Sequence, residues 1–151
     1  MNRSFKVALR YAGSITIALI GYFLILKLFD LHENPWLRIF NGAAMCVGIY
    51  FAIKYYKLTS GDNFSYINGI KTGLITGFIT TILFTVFMAI YMFHLDVEFT
   101  QKLLGDWFSD YKVGANILIF IVFIEGMAST VVLSLAFMQL FKKSNNVPQK
   151  T

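Results

Sequence analysis

Glu125 is the one charged side chain in this sequence that lies deep inside a long apolar segment, residues 115–141. The 151 residues include 13 basic and 8 acidic side chains, and the others fall in or beside the gaps between four apolar segments. An acidic side chain at the centre of a membrane-spanning helix costs about 2.5 kcal/mol or more on insertion scales, so it must be protonated or paired. Glu125 is therefore the candidate for a protonatable site or for a polar anchor between helices.

The other residues with catalytic or metal-binding potential form no recognisable pattern. His32 and His94 lie at the ends of apolar segments at a spacing that matches no metal motif, and Cys46 is the only cysteine. A zinc site needs several ligands, and a nucleophile needs a neighbouring base. We therefore expect no catalytic residues, no metal, no cofactor and no enzymatic activity. Basic residues at segment ends, rather than on a face with exposed aromatics, also predict no nucleic-acid partner.

Four apolar segments predict the architecture. A helix rises 1.5 Å per residue, so roughly 20 residues cross the ~30 Å hydrocarbon core of a bilayer. The segments are apolar on nearly all sides, unlike soluble amphipathic helices, which are apolar on one side. We predict an all-α polytopic membrane protein with one membrane domain (1–151) and four transmembrane helices in an antiparallel bundle. The predicted spans are residues 7–29, 37–56, 70–93 and 115–141.

The distribution of lysine and arginine predicts the orientation. The N-terminal segment, the connection between the second and third spans and the C-terminal segment carry nine of these residues, and the other two connections carry four. Cytoplasmic loops are enriched in lysine and arginine, so both termini are expected in the cytoplasm of a cell with an inner, cytoplasmic membrane.

The longest connection, between the third and fourth spans, contains an amphipathic pattern. Over residues 97–111, apolar side chains such as Phe99, Leu103 and Trp107 recur at helical spacing opposite acidic side chains. The pattern predicts a short interfacial helix on the outer bilayer surface, with Trp107 at the level of the lipid headgroups.

The depth of Glu125 selects its candidate partners. If Ala115 lies at the outer boundary, Glu125 lies about 15 Å into the bilayer, at 1.5 Å per residue. No lysine or arginine lies at that depth, which favours a neutral acid bonded to hydroxyl or amide groups. Two interpretations remain open: a site that takes up a proton or cation, and an anchor that fixes helix register. The candidate hydrogen-bond partners are Thr81, Thr85, Thr16, Asn41 and Ser129.

Small residues at four-residue spacing predict where the helices pack. Helices in lipid associate through close contacts at small residues and through hydrogen bonds between helices. Such rows can form the seams within one bundle, or a contact with a second copy or another subunit, and the spacing does not distinguish them. The candidate packing residues are Gly69, Gly73, Gly77, Ala44, Gly48 and Gly126.

A short motif in the middle of the chain carries a family resemblance. A basic and aromatic cluster at 53–57 is followed by a turn and then by Phe64, Lys71 and Gly73 at the start of the next span. This arrangement resembles a family of bacterial four-span integral membrane proteins catalogued as a domain of unknown function. The outer connection between the third and fourth spans is shorter here than is usual in that family. The resemblance implies a four-span fold in a bacterial cytoplasmic membrane and supplies no activity.

Two functions from different classes fit the sequence. The first is a non-enzymatic accessory or scaffold component that resides in the lipid bilayer and associates with itself or with a larger membrane complex. The alternative is a small oligomeric transport unit, coupled to protons or ions, that uses Glu125 as its protonatable site at the midplane.

Overall fold

The computed structural model describes residues 3–31, 35–108 and 114–141, apart from the side chains of Pro35, Arg38 and Trp107. All regular elements in these ranges are helical, which confirms the predicted all-α class. A 3-10 turn at Pro35–Arg38 precedes the second helix, another at Gly61–Asn63 follows it, and a π turn at Tyr91–Leu95 extends the third. The helices are α1 (Arg3–Leu28), α2 (Ile39–Ser60), α3 (Tyr66–Ile90), α4 (Val97–Phe108) and α5 (Ala115–Phe141).

Three helical segments in the described residues are long and apolar enough to cross a membrane. They are Arg3–Leu28, Tyr66–Leu95 and Ala115–Phe141, and they correspond to the predicted first, third and fourth spans. The segment corresponding to the predicted second span is α2, which has 22 residues and includes Lys54 and Lys57.

The helix ends differ from the predicted span ends for local reasons. The first helix begins at Arg3 rather than at residue 7, because lysine and arginine are good helix formers and continue the helix beyond the apolar run. It ends in a Schellman motif, in which Leu31 N donates to Leu26 O (2.9 Å) and Asp30 N to Lys27 O (3.0 Å). Asp30 takes the left-handed conformation that this motif requires, with φ of 55°.

The third helix lies against α1, α2 and α5 and forms the centre of the packing. On its α1 side, Thr76 and Thr80 are fully buried, and their hydroxyls lie 3.5 and 3.3 Å from the carbonyl oxygens of Ala8 and Ala12. The same hydroxyls donate to the carbonyls four residues earlier on α3. Both threonines therefore keep their hydrogen bonds inside the helix and still allow α1 to approach closely.

A row of glycines on α3 forms the contact with α5. A Cβ added at Gly73 would lie 2.7 Å from Ser134 Oγ, and one at Gly77 would collide with Thr130. Nearer the start of α3, Gly69 faces the side chain of Met138. Because only glycine leaves room for these α5 side chains, the spacing Gly69, Gly73, Gly77 fits α3 to α5 within one chain.

The fourth helix covers one end of this packing. We predicted a helix over residues 97–111, and the helix observed is Val97–Phe108. The prediction that Trp107 lies at the level of the lipid headgroups concerns a side chain outside the described part of the structure. The side chain of Phe99 is buried, and that of Leu103 is half-buried against the core. The apolar side of α4 thus packs on the other helices of the chain.

Candidate functional site

A cavity of about 110 Å³ lies at the α4 end of the molecule, between α2 and α5 with α1 and α3 behind it. Most of its wall is apolar, with Met45, Phe84, Met88 and Leu118 as examples. The polar side chains in the wall come from three helices and are Asn41, Thr81, Thr85, Glu125 and Ser129, together with Tyr22 of α1.

The cavity exists because α2 and α5 are in contact at one end and separate towards the other. Near the end of α5, the ring of Tyr50 packs on Phe137 and Phe141 with centroids 5.4 Å apart in both pairs. Lys57 Nζ donates to Phe141 O at 3.3 Å. Ile53 is fully buried in the same region. Aromatic packing therefore holds α2 and α5 together at this end. At the other end the two helices are apart, and the cavity lies between them.

Glu125 lies at the opening of the cavity. Its neighbour Gly126 packs on Thr81, because a Cβ at Gly126 would lie 2.6 Å from Thr81 Cγ2. This contact fixes α5 against α3 at the residue directly after Glu125. Glu125 lines the cavity and is also exposed on the surface of the chain, so the cavity opens to the exterior beside its carboxylate.

Three polar atoms in the cavity wall are buried and have no hydrogen-bond partner among the described residues. They are Asn41 Oδ1, Thr81 Oγ1 and Thr85 Oγ1. Leaving a buried polar atom unpaired costs about 1–3 kcal/mol, and folded proteins contain few such atoms. By contrast, Thr130 outside the cavity donates to Gly126 O at 2.8 Å. The fourth such atom in the described residues, Ser134 Oγ, lies outside the cavity. Three of the four thus lie around one cavity, where another molecule can supply the missing bonds.

The structure brings together four of the five candidate partners of Glu125 in this one cavity. Thr81, Thr85, Asn41 and Ser129 all line it with Glu125. Thr16 does not line the cavity, and its hydroxyl donates to Ala12 O at 2.8 Å within α1.

The predicted packing residues lie mainly at helix contacts. Gly126 is in the cavity wall and touches Thr81. On α2, Gly48 contacts Ile15 of α1, and Ala44 is half-buried beside the core.

A polar cluster next to the cavity was not among the predicted site residues. Lys27 Nζ lies 3.3 Å from Asp96 Oδ2 and 4.6 Å from the centre of the Tyr91 ring, and Tyr91 donates its hydroxyl hydrogen to Asp96 Oδ2 at 2.8 Å. Asp96 also accepts a hydrogen bond from Phe99 N at 3.0 Å and so caps α4. The Phe99 N–H, with smaller contributions from Tyr91 and Lys27, holds the pKa of Asp96 below its ordinary value.

One sequence signal for this cluster was present. An aspartate directly before an amphipathic run is typical of a helix N-cap, and Asp96 precedes Val97 in that way. Its pairing with Lys27 had no such signal, because 69 positions separate them in the chain.

The polar groups of the cavity wall can form hydrogen bonds with a bound molecule. The cavity wall presents one carboxylate, hydroxyl and amide groups, and no histidine, cysteine, lysine or arginine among its described residues. Within residues 3–31, 35–108 and 114–141, no group of three or more His, Cys, Asp or Glu side chains is placed to hold a metal ion. His94 is exposed, and His32 lies outside the described residues.

No family model, no curated protein and no solved structure matches the chain.

Proposed function

We propose that this chain is a non-enzymatic, multi-pass integral membrane protein that acts as an accessory or scaffold component, associating with itself or with another membrane protein. The observation that carries the proposal is the exposure of residue Glu125 on α5, the least covered of the three apolar segments. Only 17% of its most apolar stretch is buried within the chain, compared with 28% in α1 and 39% in the segment Tyr66–Leu95.

An exposed acidic residue on such a helix favours association. Apolar side chains on α5 are stable against lipid, but an acidic side chain at the centre of a membrane span costs about 2.5–3.5 kcal/mol on insertion scales. A protein surface that covers this side of α5 would shield the exposed part of Glu125 from hydrocarbon. Association would therefore lower the free energy of Glu125. The apolar residues of α5 gain little from association, because they are already stable against lipid.

The proposal includes four spans, with α2 as the second, in an antiparallel bundle. Two contacts support opposite directions for α1 and α2: Arg3 Nη1 donates to Thr59 O at 2.6 Å, and Tyr22 Oη donates to Leu37 O at 3.0 Å. The start of α1 thus meets the end of α2, and the end of α1 meets the segment before α2. For α3 and α5, the facing pairs of Gly69 with Met138 and Gly77 with Thr130 support the same arrangement.

We further propose that both termini face the cytoplasm and that the protein resides in a bacterial cytoplasmic membrane. The first part rests on the excess of lysine and arginine at the N-terminus, between the second and third spans, and at the C-terminus. The second part rests on the resemblance of the motif with Phe64, Lys71 and Gly73 to the bacterial four-span family.

A second candidate function, a small proton- or ion-coupled transport unit, is favoured by the cavity that reaches Glu125. The cavity wall is confined to one end of the helices. Towards the other end, Ile49, Ile53 and Met138 are fully buried and close the interior. Transport by this chain would therefore need a rearrangement or a pathway between copies.

One experiment distinguishes the two functions. Wild type, Glu125→Gln and Glu98→Gln are reconstituted in lipid vesicles, where Glu98 is an exposed acid on α4 outside the cavity. Energy transfer between labelled copies reports association, and pH- or cation-sensitive dyes report flux. Weaker association in Glu125→Gln alone, without flux in any sample, supports the accessory function. Flux in wild type that Glu125→Gln abolishes supports transport and contradicts the accessory function.

A further inference from the structure

We infer that the cavity between α2 and α5 is a binding site for a small neutral alcohol, one hydroxyl group on an apolar body, which reaches it from the bilayer. The site is complete within one chain and is independent of the proposed association between chains. Three features of the wall support it: two threonine hydroxyls on α3, an amide oxygen on α2 and a largely apolar remainder. None of them depends on the protonation of Glu125.

The threonine hydroxyls of the wall match a group that both donates and accepts hydrogen bonds. Thr81 is only 4% exposed, and its Oγ1, like that of Thr85, is buried without a partner in the described chain. The two residues are one helical turn apart, so their Cβ atoms lie about 5–6 Å from each other. An oxygen atom between the two hydroxyls is then within hydrogen-bond distance of both. A ligand hydroxyl can accept a hydrogen bond from one threonine and donate to the other.

Asn41 adds an acceptor from α2. Its Oδ1 is buried and unpaired in the same wall, and an amide oxygen needs a donor from the ligand. An ether or a ketone of similar shape has no hydrogen to donate, whereas an alcohol has one. A neutral hydroxyl also costs much less to bury in an apolar wall than an ionised group does. The wall therefore favours a neutral hydroxyl as the polar part of the ligand.

Most of the remaining wall is apolar, which favours an organic ligand over water alone. Met45, Met88 and Met92 line the cavity together with Phe84 and Phe99. A buried water molecule makes about three hydrogen bonds, and these side chains offer almost none. An apolar body is in contact with them instead, and methionine side chains adapt to its shape.

The size and the opening of the cavity limit the ligand further. One water-sized group needs about 10–15 Å³, so a cavity of 110 Å³ has room for roughly seven to eleven such groups. Hexanol, with six carbons and one oxygen, fits within this capacity. The opening lies beside Glu125, and the neighbouring Ile124 is 46% exposed on the apolar α5 segment. In a membrane this surface faces hydrocarbon, in which an alcohol of this size dissolves.

A photoreactive hexanol tests the site, with a diazirine group in its carbon chain and one copy of the full protein chain in each phosphatidylcholine nanodisc. The comparison probe is hexane with the same diazirine, which lacks only the hydroxyl. After illumination, mass spectrometry of the peptides locates the labelled residues. We expect saturable labelling of the cavity wall by the alcohol probe, which excess n-hexanol displaces and excess n-heptane does not.

The double variant Thr81→Val, Thr85→Val keeps the shape of both side chains and removes both hydroxyls. Loss of two ordinary hydrogen bonds predicts an affinity for the alcohol probe that is about fivefold or more lower, with labelling by the hexane probe unchanged. Without ligand, this variant should melt at or above wild type, because the hydroxyls that it removes are unpaired. The matched control is Thr16→Val, whose hydroxyl bonds to Ala12 O outside the cavity. It should bind the alcohol as wild type does.

Gly42→Leu fills the cavity and leaves both threonines in place. A Cβ at Gly42 meets nothing within 4 Å, so this variant should fold and lose labelling of the wall. Gly13→Leu, at an equally open position of α1 outside the cavity, should retain it. Labelling that needs both the threonine hydroxyls and the space at Gly42 supports the alcohol site. The site is refuted by no saturable labelling of the wall, by equal labelling with the two probes, by labelling that either cavity variant leaves unchanged, or by a lower melting temperature of the double threonine variant.

Discussion

Replacing Gly77 by alanine inserts a methyl group into the contact between α3 and α5. The new Cβ would collide with the Thr130 hydroxyl and methyl groups and would lie 2.8 Å from Thr130 Cβ. Thr130 is fully buried, and its hydroxyl donates to Gly126 O, so this side chain cannot rotate away without loss of a hydrogen bond. The extra methyl group therefore both pushes α5 outward and weakens that bond.

The size of the effect follows from two opposing contributions. Forcing an extra methyl group into packed surroundings costs about 1–3 kcal/mol, and the loss of the Thr130 hydrogen bond adds about 1 kcal/mol. Alanine is favoured over glycine in a helix by about 0.5–1 kcal/mol, which offsets part of this cost. We expect Gly77→Ala to lower the free energy of unfolding by about 1–3 kcal/mol.

Unfolding in mixed micelles, followed by circular dichroism, measures this change. The control is Gly13→Ala on α1, where a Cβ meets nothing within 4 Å and alanine should stabilise the helix slightly. Thr130→Ala removes the two atoms nearest to the new methyl group, so the double variant should recover part of the loss. Equal stability of Gly77→Ala and Gly13→Ala would refute the close α3–α5 contact.

Two further predictions concern the closed half of the core and the cap of α4. Ile53→Ala removes a fully buried side chain and should cost about 2–5 kcal/mol, whereas Leu58→Ala, at a side chain that is 71% exposed, should stay within about 0.5 kcal/mol. Similar losses would contradict the assigned core. The lowered pKa of Asp96 means that this carboxylate stabilises the fold above the ordinary aspartate pKa, about 3.9, and that the contribution disappears as the pH falls through its folded value. Asp96→Asn should therefore melt below wild type at pH 7, with a difference that narrows below about pH 4; a difference independent of pH would contradict the cap.

The helical class and three apolar segments could be predicted from the sequence because hydropathy and length are local properties. The segment 115–141 coincides with α5 at both ends. The start of α1 was less accessible, because Arg3 and Lys6 are polar and yet continue the helix.

The site depends on packing that local patterns do not encode. The sequence allowed an estimate of which residues lie near the depth of Glu125 in the bilayer. Two of them, Thr81 and Asn41, do line the same cavity as Glu125. Depth alone does not determine direction around a helix, and Thr16, at a similar predicted depth, bonds within α1 instead. The cavity arises where α2 and α5 separate beyond the contact of Tyr50 with Phe137, which no sequence pattern indicates.

Cross-linking from the Glu125 side of α5, in the membrane of the cell that makes the protein, tests the proposed association most directly. Ala128 is exposed one turn after Glu125, and replacing Cys46, the only cysteine, by serine leaves Ala128→Cys as a single thiol. The control thiol is Ile17→Cys, at a side chain of α1 that is 73% exposed. The account predicts a product of two chains, or of the chain and one partner, from Ala128→Cys alone, which Glu125→Gln strongly reduces. Absence of that product, or a yield that Glu125→Gln leaves unchanged, would contradict association through Glu125.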